Sequence, residues 1–172
     1  KKNAPVFQKY FSKKASMVGM KKLRRYDLYA PTKTNSKEKN YSYVTAIKLV
    51  LDSLAKFSPK LSGFAAKVFN ENHVDHSIRP GKRDGAFCST PLPYITPFVL
   101  INYTGKSRDV FTLAHEIGHA VHSVAASDKS ILVSDASLPL AETASTYSEL
   151  LLYDSISQKI TDDEKKSMLA EK

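Results

Sequence analysis

The chain has 172 residues, 42% hydrophobic and 25% charged. That composition fits one ordinary globular domain or a piece of a larger one, and it excludes a disordered or fibrous chain. No apolar run reaches the roughly 18 residues of a membrane helix, and the lysine-rich start lacks the apolar stretch of an export signal. The single cysteine, Cys88, excludes an internal disulfide framework and any site built on several thiolates, so a metal here needs His and carboxylate ligands.

The net charge of +9 is concentrated at one end. Residues 1–39 carry 12 Lys and Arg against 2 Asp and Glu, whereas residues 40–172 carry 14 against 15. In the basic arm, Lys13, Lys14, Lys21, Lys22, Arg24 and Arg25 alternate with Phe7, Phe11, Val18 and Leu23 at the spacing of a solvated helix face. A nucleic-acid-binding arm is the rival reading, but no recognisable base-reading motif accompanies the charge, and no nucleic-acid or membrane partner is expected.

In chain order, residues 1–30 form a basic helical lead-in, with helix from about Pro5 to Arg25 and a turn or short strand before Pro31. A second helix is expected from Ser42 to Lys56, with Ala46, Ile47, Val50, Leu51 and Leu54 as its apolar stripe. A third opens at Ser58-Pro59, carries Leu61, Phe64, Ala65, Val68 and Phe69 at helical spacing, and ends near Glu71 or Asn72. Residues 73–105 change character. Glycines and prolines punctuate aromatic and β-branched segments there, predicting a strand pair, Gly85–Ser89 and Phe98–Tyr103, joined by a loop too long for a tight hairpin. Helices over 107–124 and 139–160 complete the reading. The fold class is mainly α with a small β-sheet.

The helix over 107–124 contains His115-Glu116-Ile117-Gly118-His119. Histidines four residues apart share a helix face about 6 Å apart along the axis, so both rings can reach one Zn²⁺. Glu116 lies beside that face, where a carboxylate can act on water as a general base without ligating the ion. Structural histidines are the plainer reading of so short a motif. Against it, Val110, Phe111, Leu113, Ala114, Ile117, Ala120, Val121 and Val124 make the helix apolar nearly all round. Burying two imidazoles and a carboxylate without partners is costly, and a cation supplies partners for all three.

Catalytic zinc usually takes three side chains and keeps one open position. Glu142 is the candidate third ligand, 23 residues after His119 and just inside a helix that Pro139 can start, with Asp135 or Ser137 near the cap. On that helix Glu142, Ser145 and Glu149 share a polar face, and Leu140, Ala144, Tyr147 and Leu151 form a stripe suited to the core. His122 shares the side of His115 and His119, but about 10.5 Å of helical rise from His115 is too far for a common ion. Contact with a ligand or with substrate suits it better. His73 and His76 fit either a separate site or turn chemistry. Cys88 reads as a packed strand residue.

Several blocks together resemble the oligoendopeptidase F group of zinc metallopeptidases, related more distantly to thimet oligopeptidase. They are Tyr-Asp-Leu-Tyr-Ala-Pro (26–31), Gly-Lys-Arg-Asp-Gly-Ala-Phe-Cys (81–88), Pro-Phe-Val-Leu-Ile-Asn-Tyr-Thr-Gly (97–105), Asp-Val-Phe-Thr-Leu-Ala-His-Glu-Ile-Gly-His (109–119) and Glu-Thr-Ala-Ser (142–145). The resemblance implies a fragment of a zincin-type catalytic domain, with residues 1–172 a partial catalytic domain of a longer peptidase. It also implies one zinc ion held by His115, His119 and Glu142. The implied activity is hydrolysis of internal bonds in short peptides by a metal-activated water with Glu116 as general base. The alternative is a structural zinc module without activity.

From Lys1 in place of Met, and from a Thr161…Glu164 capping box that opens a helix near the last residue, the sequence is expected to be part of a longer protein. The resemblance implies that the family's His and Tyr side chains that hold the substrate carbonyl would fall past Lys172. Loss of one oxyanion donor costs about 10² to 10³ in rate, so the segment alone is expected to bind zinc yet cleave poorly. It is also expected to associate with its missing parts or to be marginally soluble. Cytoplasm is the expected compartment, from low cysteine usage and no visible signal.

Overall fold

The computed structural model describes residues 2–28, 39–162, 164, 165 and 168. It divides into two compact units, one of Lys1–Lys37 with Ile160–Lys172 and one of Glu38–Lys159.

In the first unit, helix α1 spans Ala4–Met17, with a proline in its first turn. The helix stops there and does not run to Arg25 as the charge pattern predicts. Gly19 adopts φ +74°, its N–H bonds Ser16 O and the Met20 N–H bonds Ala15 O, which is a Schellman stop that a glycine makes without steric cost. A 3-10 turn at Arg25–Asp27 follows. Ala30 and Pro31, where the turn or short strand is expected, lie outside the described residues. At the far end Thr161 and Glu164 form the reciprocal capping bonds expected of them: Thr161 N–H donates to Glu164 Oε2 at 2.8 Å, and Glu164 N–H to Thr161 Oγ1 at 3.4 Å.

The second unit contains helices α2 (Tyr43–Phe57) and α3 (Pro59–Asn70), strands β1 (Val74–Asp75), β2 (Ala86–Ser89) and β3 (Phe98–Ile101), and helices α4 (Ser107–Ala125) and α5 (Leu138–Ser157). Ser42 and Ser58 cap α2 and α3 by accepting from Thr45 N–H and Leu61 N–H. Asp109 caps α4, its carboxylate accepting from Thr104 N–H at 2.7 Å and Lys106 N–H at 3.2 Å. The sheet order is β1-β3-β2, with β1 parallel and β2 antiparallel to β3. The β2 and β3 pairing agrees with the sequence pattern. β1 was not anticipated, because two residues in a polar, turn-rich stretch carry no period of their own.

α4 is the hub, packed against α2, α3, α5 and both longer strands. Val110, Leu113, Ala114, Ile117 and Ala120 of α4 are buried, as are Val50, Val68, Val99, Ile101 and Leu152 of the elements packed around it. Each large apolar side chain so enclosed stabilises the fold by about 1.5 to 3 kcal/mol.

The face of α5 that packs is the reverse of the one its apolar residues predict. Ser145, Ser148, Leu152, Ser155 and Ile156 are buried, whereas Leu140 is 63% and Tyr147 44% exposed. The cause is a close crossing. A Cβ on Gly118 would stand 2.7 Å from Ser145 Cα, 2.8 Å from Ala144 O and 2.9 Å from Ser148 Cβ, so only small residues fit between the helices. The polar face that carries Glu142 is thereby turned onto α4.

Candidate metal centre

Helical spacing places His115 and His119 on the same side of α4, facing the first turns of α5. The Nε2 atom of His115 lies 3.3 Å, and that of His119 3.7 Å, from Glu142 Oε2. One ligand atom from each of the three residues lies within 4.8 Å of the others, the one such group of three or more among the described residues. Donors arranged tetrahedrally around zinc at about 2.0 to 2.1 Å are about 3.3 Å apart. The donor set of two imidazoles and a carboxylate, at these separations, fits a divalent cation.

Neighbouring side chains fix the orientation of these groups. His115 Nδ1 is 2.7 Å from Glu149 Oε1, about two turns beyond Glu142 along α5, and Glu149 is largely buried. Ser145, fully buried, is within 2.9 Å of both Glu142 O and Glu142 Oε2, so its hydroxyl tethers the Glu142 carboxylate to its own helix. The sequence places Ser145 and Glu149 on the face of Glu142, and the 142, 145, 149 spacing was the available signal. Their contacts could not be read without the rotation of α5.

Glu116 is 7% exposed and faces the strand side. Burial pushes its carboxyl above the usual carboxylate range; His115 opposes that shift, Glu142 adds to it, and a hydrogen bond from the Cys88 backbone N–H opposes it again. Burial, and then the neighbouring His115, lowers the His119 pKa, favouring the neutral imidazole that a metal requires. Burial pushes the Cys88 thiol up to about 12, with Glu116 contributing.

A cleft of about 560 Å³ opens over the cluster. One wall is Ala86, Phe87 and Cys88 of β2, and the other is the segment Ser134–Ala136 with the start of α5. His122 lines the cleft without joining the ligand group. His73 and His76 are elsewhere and form no common site: the His73 ring stacks on Phe98 with its Nδ1 3.0 Å from Thr96 O, and His76 stacks on Tyr43.

A helix carrying two histidines, crossed by a glutamate-bearing helix beside a short sheet, is the arrangement of a mostly helical metallopeptidase-domain fragment. The sequence model of Peptidase family M3 matches residues 1–172, and the chain belongs to that family. It is 29% identical over 160 residues to Group B oligopeptidase PepB of Streptococcus agalactiae, covering 92% of this chain and 26% of that protein. An oligoendopeptidase F homolog of Borreliella burgdorferi is 34% identical over 123 residues, 70% of this chain and 20% of that protein. Among solved structures, a candidate peptidase from Chlamydophila abortus superimposes with a TM-score of 0.81 at 34% identity, covering 98% of this chain and 28% of that one. PZ peptidase A with an inhibitor superimposes with a TM-score of 0.76 at 22% identity, covering 96% and 29%. The chain thus spans about a quarter of the length of the curated relatives it matches. Among the described residues no helix is long and apolar enough to cross a membrane.

Proposed function

We propose that this chain forms the catalytic centre of a zinc-dependent endopeptidase that cleaves internal bonds of short peptides. The observation carrying the proposal is the convergence of His115, His119 and Glu142 on one point of an open cleft, with the buried Glu116 beside them. In this reading residues 1–172 are part of a longer catalytic domain. The relatives' names, oligopeptidase and oligoendopeptidase, support short peptides as substrates.

His115 Nε2, His119 Nε2 and a Glu142 carboxylate oxygen would hold one Zn²⁺. When bound, the ion supplies Lewis acidity, lowering the pKa of water and polarising a carbonyl. Glu116 takes the proton of the attacking water on a carboxylate oxygen and returns it to the departing amine nitrogen, leaving two shorter peptides. Its raised pKa brings it closer to neutrality, where a group can both accept and release a proton. Among the described residues β2 has one ladder partner, β3, and its other edge would hold substrate backbone as an added strand.

The test is metal removal from the full-length protein. Chelation is expected to abolish cleavage of a fluorogenic peptide, and one equivalent of Zn²⁺ to restore it. Bound zinc without any peptide cleavage would instead favour a structural zinc module, and cleavage indifferent to chelation would remove the metal from the reaction.

A further inference from the structure

Lys82 lies in the Gly-Lys-Arg-Asp-Gly-Ala-Phe-Cys block, outside the metal cluster, and its side chain is 2% exposed. Its Nζ stands 2.8 Å from Ile101 O, 2.9 Å from Ser77 O, 3.0 Å from Asp75 O and 3.1 Å from Asp75 Oδ1. These four oxygens come from the end of β1, the segment after it, and the end of β3. Carbonyl and carboxylate oxygens that point at one spot repel one another, and an ammonium with three donors is what lets the chain keep them there. Arg79 grips the same Asp75 carboxylate from outside, Nη1 at 2.7 Å and Nη2 at 2.6 Å.

The connection from β1 to β2 is clasped a second time near its other end. Asn102 Nδ2 donates to Arg83 O at 3.0 Å and Gly85 O at 3.1 Å. The next residues, Ala86, Phe87 and Cys88, are the strand that walls the cleft. β2 pairs with β3 over four residues, so its seating depends on how the preceding connection is held.

We propose that Lys82 is a positioning residue for the peptide-facing strand: its ammonium gathers the oxygens of Asp75, Ser77 and Ile101 and so fixes the connection that delivers β2 to the cleft. This rests on the reading of the cleft as a peptide site. Lys82 touches neither metal ligand nor Glu116, so its loss acts on how substrate is held while the metal stays bound.

The experiment is Lys82→Ala in the zinc-loaded, full-length protein, assayed with a fluorogenic peptide and by hydrogen exchange of the Ala86–Ser89 amides. KM is expected to rise about tenfold, with kcat within about twofold and zinc content unchanged, as removal of a binding rather than a transition-state contact requires. Exchange in β2 should quicken. Propylammonium, which can refill the oxygen cage, should lower KM and slow exchange again, whereas tetramethylammonium at equal ionic strength should do neither. An unchanged KM with unchanged exchange overturns the proposal. So does a joint fall in kcat and zinc content without any amine response, which would make Lys82 a support of the whole fold. Should Lys82→Ala not fold, Lys82→Met and Asn102→Ala must each raise KM and quicken β2 exchange, and failure of both to do so overturns it equally. If the unaltered protein cleaves no peptide, the reading of the cleft falls, while the exchange and amine response still decide the clasp.

Discussion

Glu149 stands 2.7 Å from His115 Nδ1, on the opposite side of the ring from the nitrogen that lies 3.3 Å from Glu142. A neutral imidazole has one N–H and one lone pair. A carboxylate can only accept at Nδ1, so the proton sits there and the Nε2 lone pair is aimed at His119 and Glu142. Glu149→Ala frees the ring to rotate and to take the other tautomer. Zinc affinity is expected to fall about 10- to 100-fold, and less in Glu149→Gln, whose amide oxygen still accepts the bond. Competition against a chelator measures it. Equal affinity in the alanine variant would contradict the assignment.

Glu116 has a second measurable consequence, independent of turnover. Its pKa is raised on folding, so the folded state holds its proton to higher pH than the unfolded state, and the stability this contributes is lost as pH rises through the folded value. Above that value the ionised, buried carboxylate weighs against the fold. Glu116→Gln is expected to abolish peptide cleavage, keep zinc and be at least as thermally stable as the parent at neutral pH. At acid pH, where the Glu116 carboxyl is protonated in the folded and the unfolded state alike, the difference should close. Melting curves of the metal-free protein across pH 4 to 8 would show it, and a variant less stable at pH 8 than at pH 4 relative to the parent would refute the argument.

The crossing at Gly118 yields a paired comparison. A methyl group there meets backbone atoms of α5 at 2.7 and 2.8 Å, which no rotamer change relieves, so Gly118→Ala must part the two helices that carry the ligands. Overpacking of this kind costs about 1 to 3 kcal/mol, and zinc affinity should fall with stability, because Glu142 rides on the displaced helix. Gly63, in α3, has nothing within 4 Å of a built Cβ. Gly63→Ala should therefore stabilise the protein by about 0.5 to 1 kcal/mol through helix propensity alone. Thermal denaturation of both variants tests the contrast.

The helices of the second unit were legible because their apolar stripes repeat at helical period, and His115 and His119 were legible because four residues return a helix to the same side. The orientation of α5 was not. The spacing of Leu140, Ala144, Tyr147 and Leu151 predicts a core stripe, but the glycine of α4 admits only a small, serine-lined face, a constraint imposed by the partner helix. α1 was overextended because its basic and apolar residues keep their period past Gly19, where the backbone turns left-handed. Lys82 offered no signal at all: the oxygens around its ammonium come from residues 75, 77 and 101, and are brought together by strand pairing.

Cys88 supplies the remaining prediction. Its thiol lies in the strand wall of the cleft, where burial and the neighbouring Glu116 push its pKa from 9.0 up to about 12. Reagents attack the thiolate, and at pH 7.5 a thiol of pKa about 12 is ionised only to about 3 × 10⁻⁵. Iodoacetamide should thus label the folded protein about a thousandfold more slowly than the unfolded chain. The same shift acts on stability. Above pH 9 the unfolded chain releases this proton while the folded protein keeps it, so stability falls as pH rises toward 12. Tyr43 and Tyr103, each raised from 10.0 to about 12, chiefly by burial, act in the same direction from a higher starting point. Cys88→Ala should therefore flatten the decline first between pH 9 and 10, leaving the steeper fall above pH 10 to the tyrosines. Urea midpoints measured at half-unit steps from pH 8 to 11 resolve the two ranges, and rapid labelling of the folded protein at pH 7.5 would show that the thiol is not shielded.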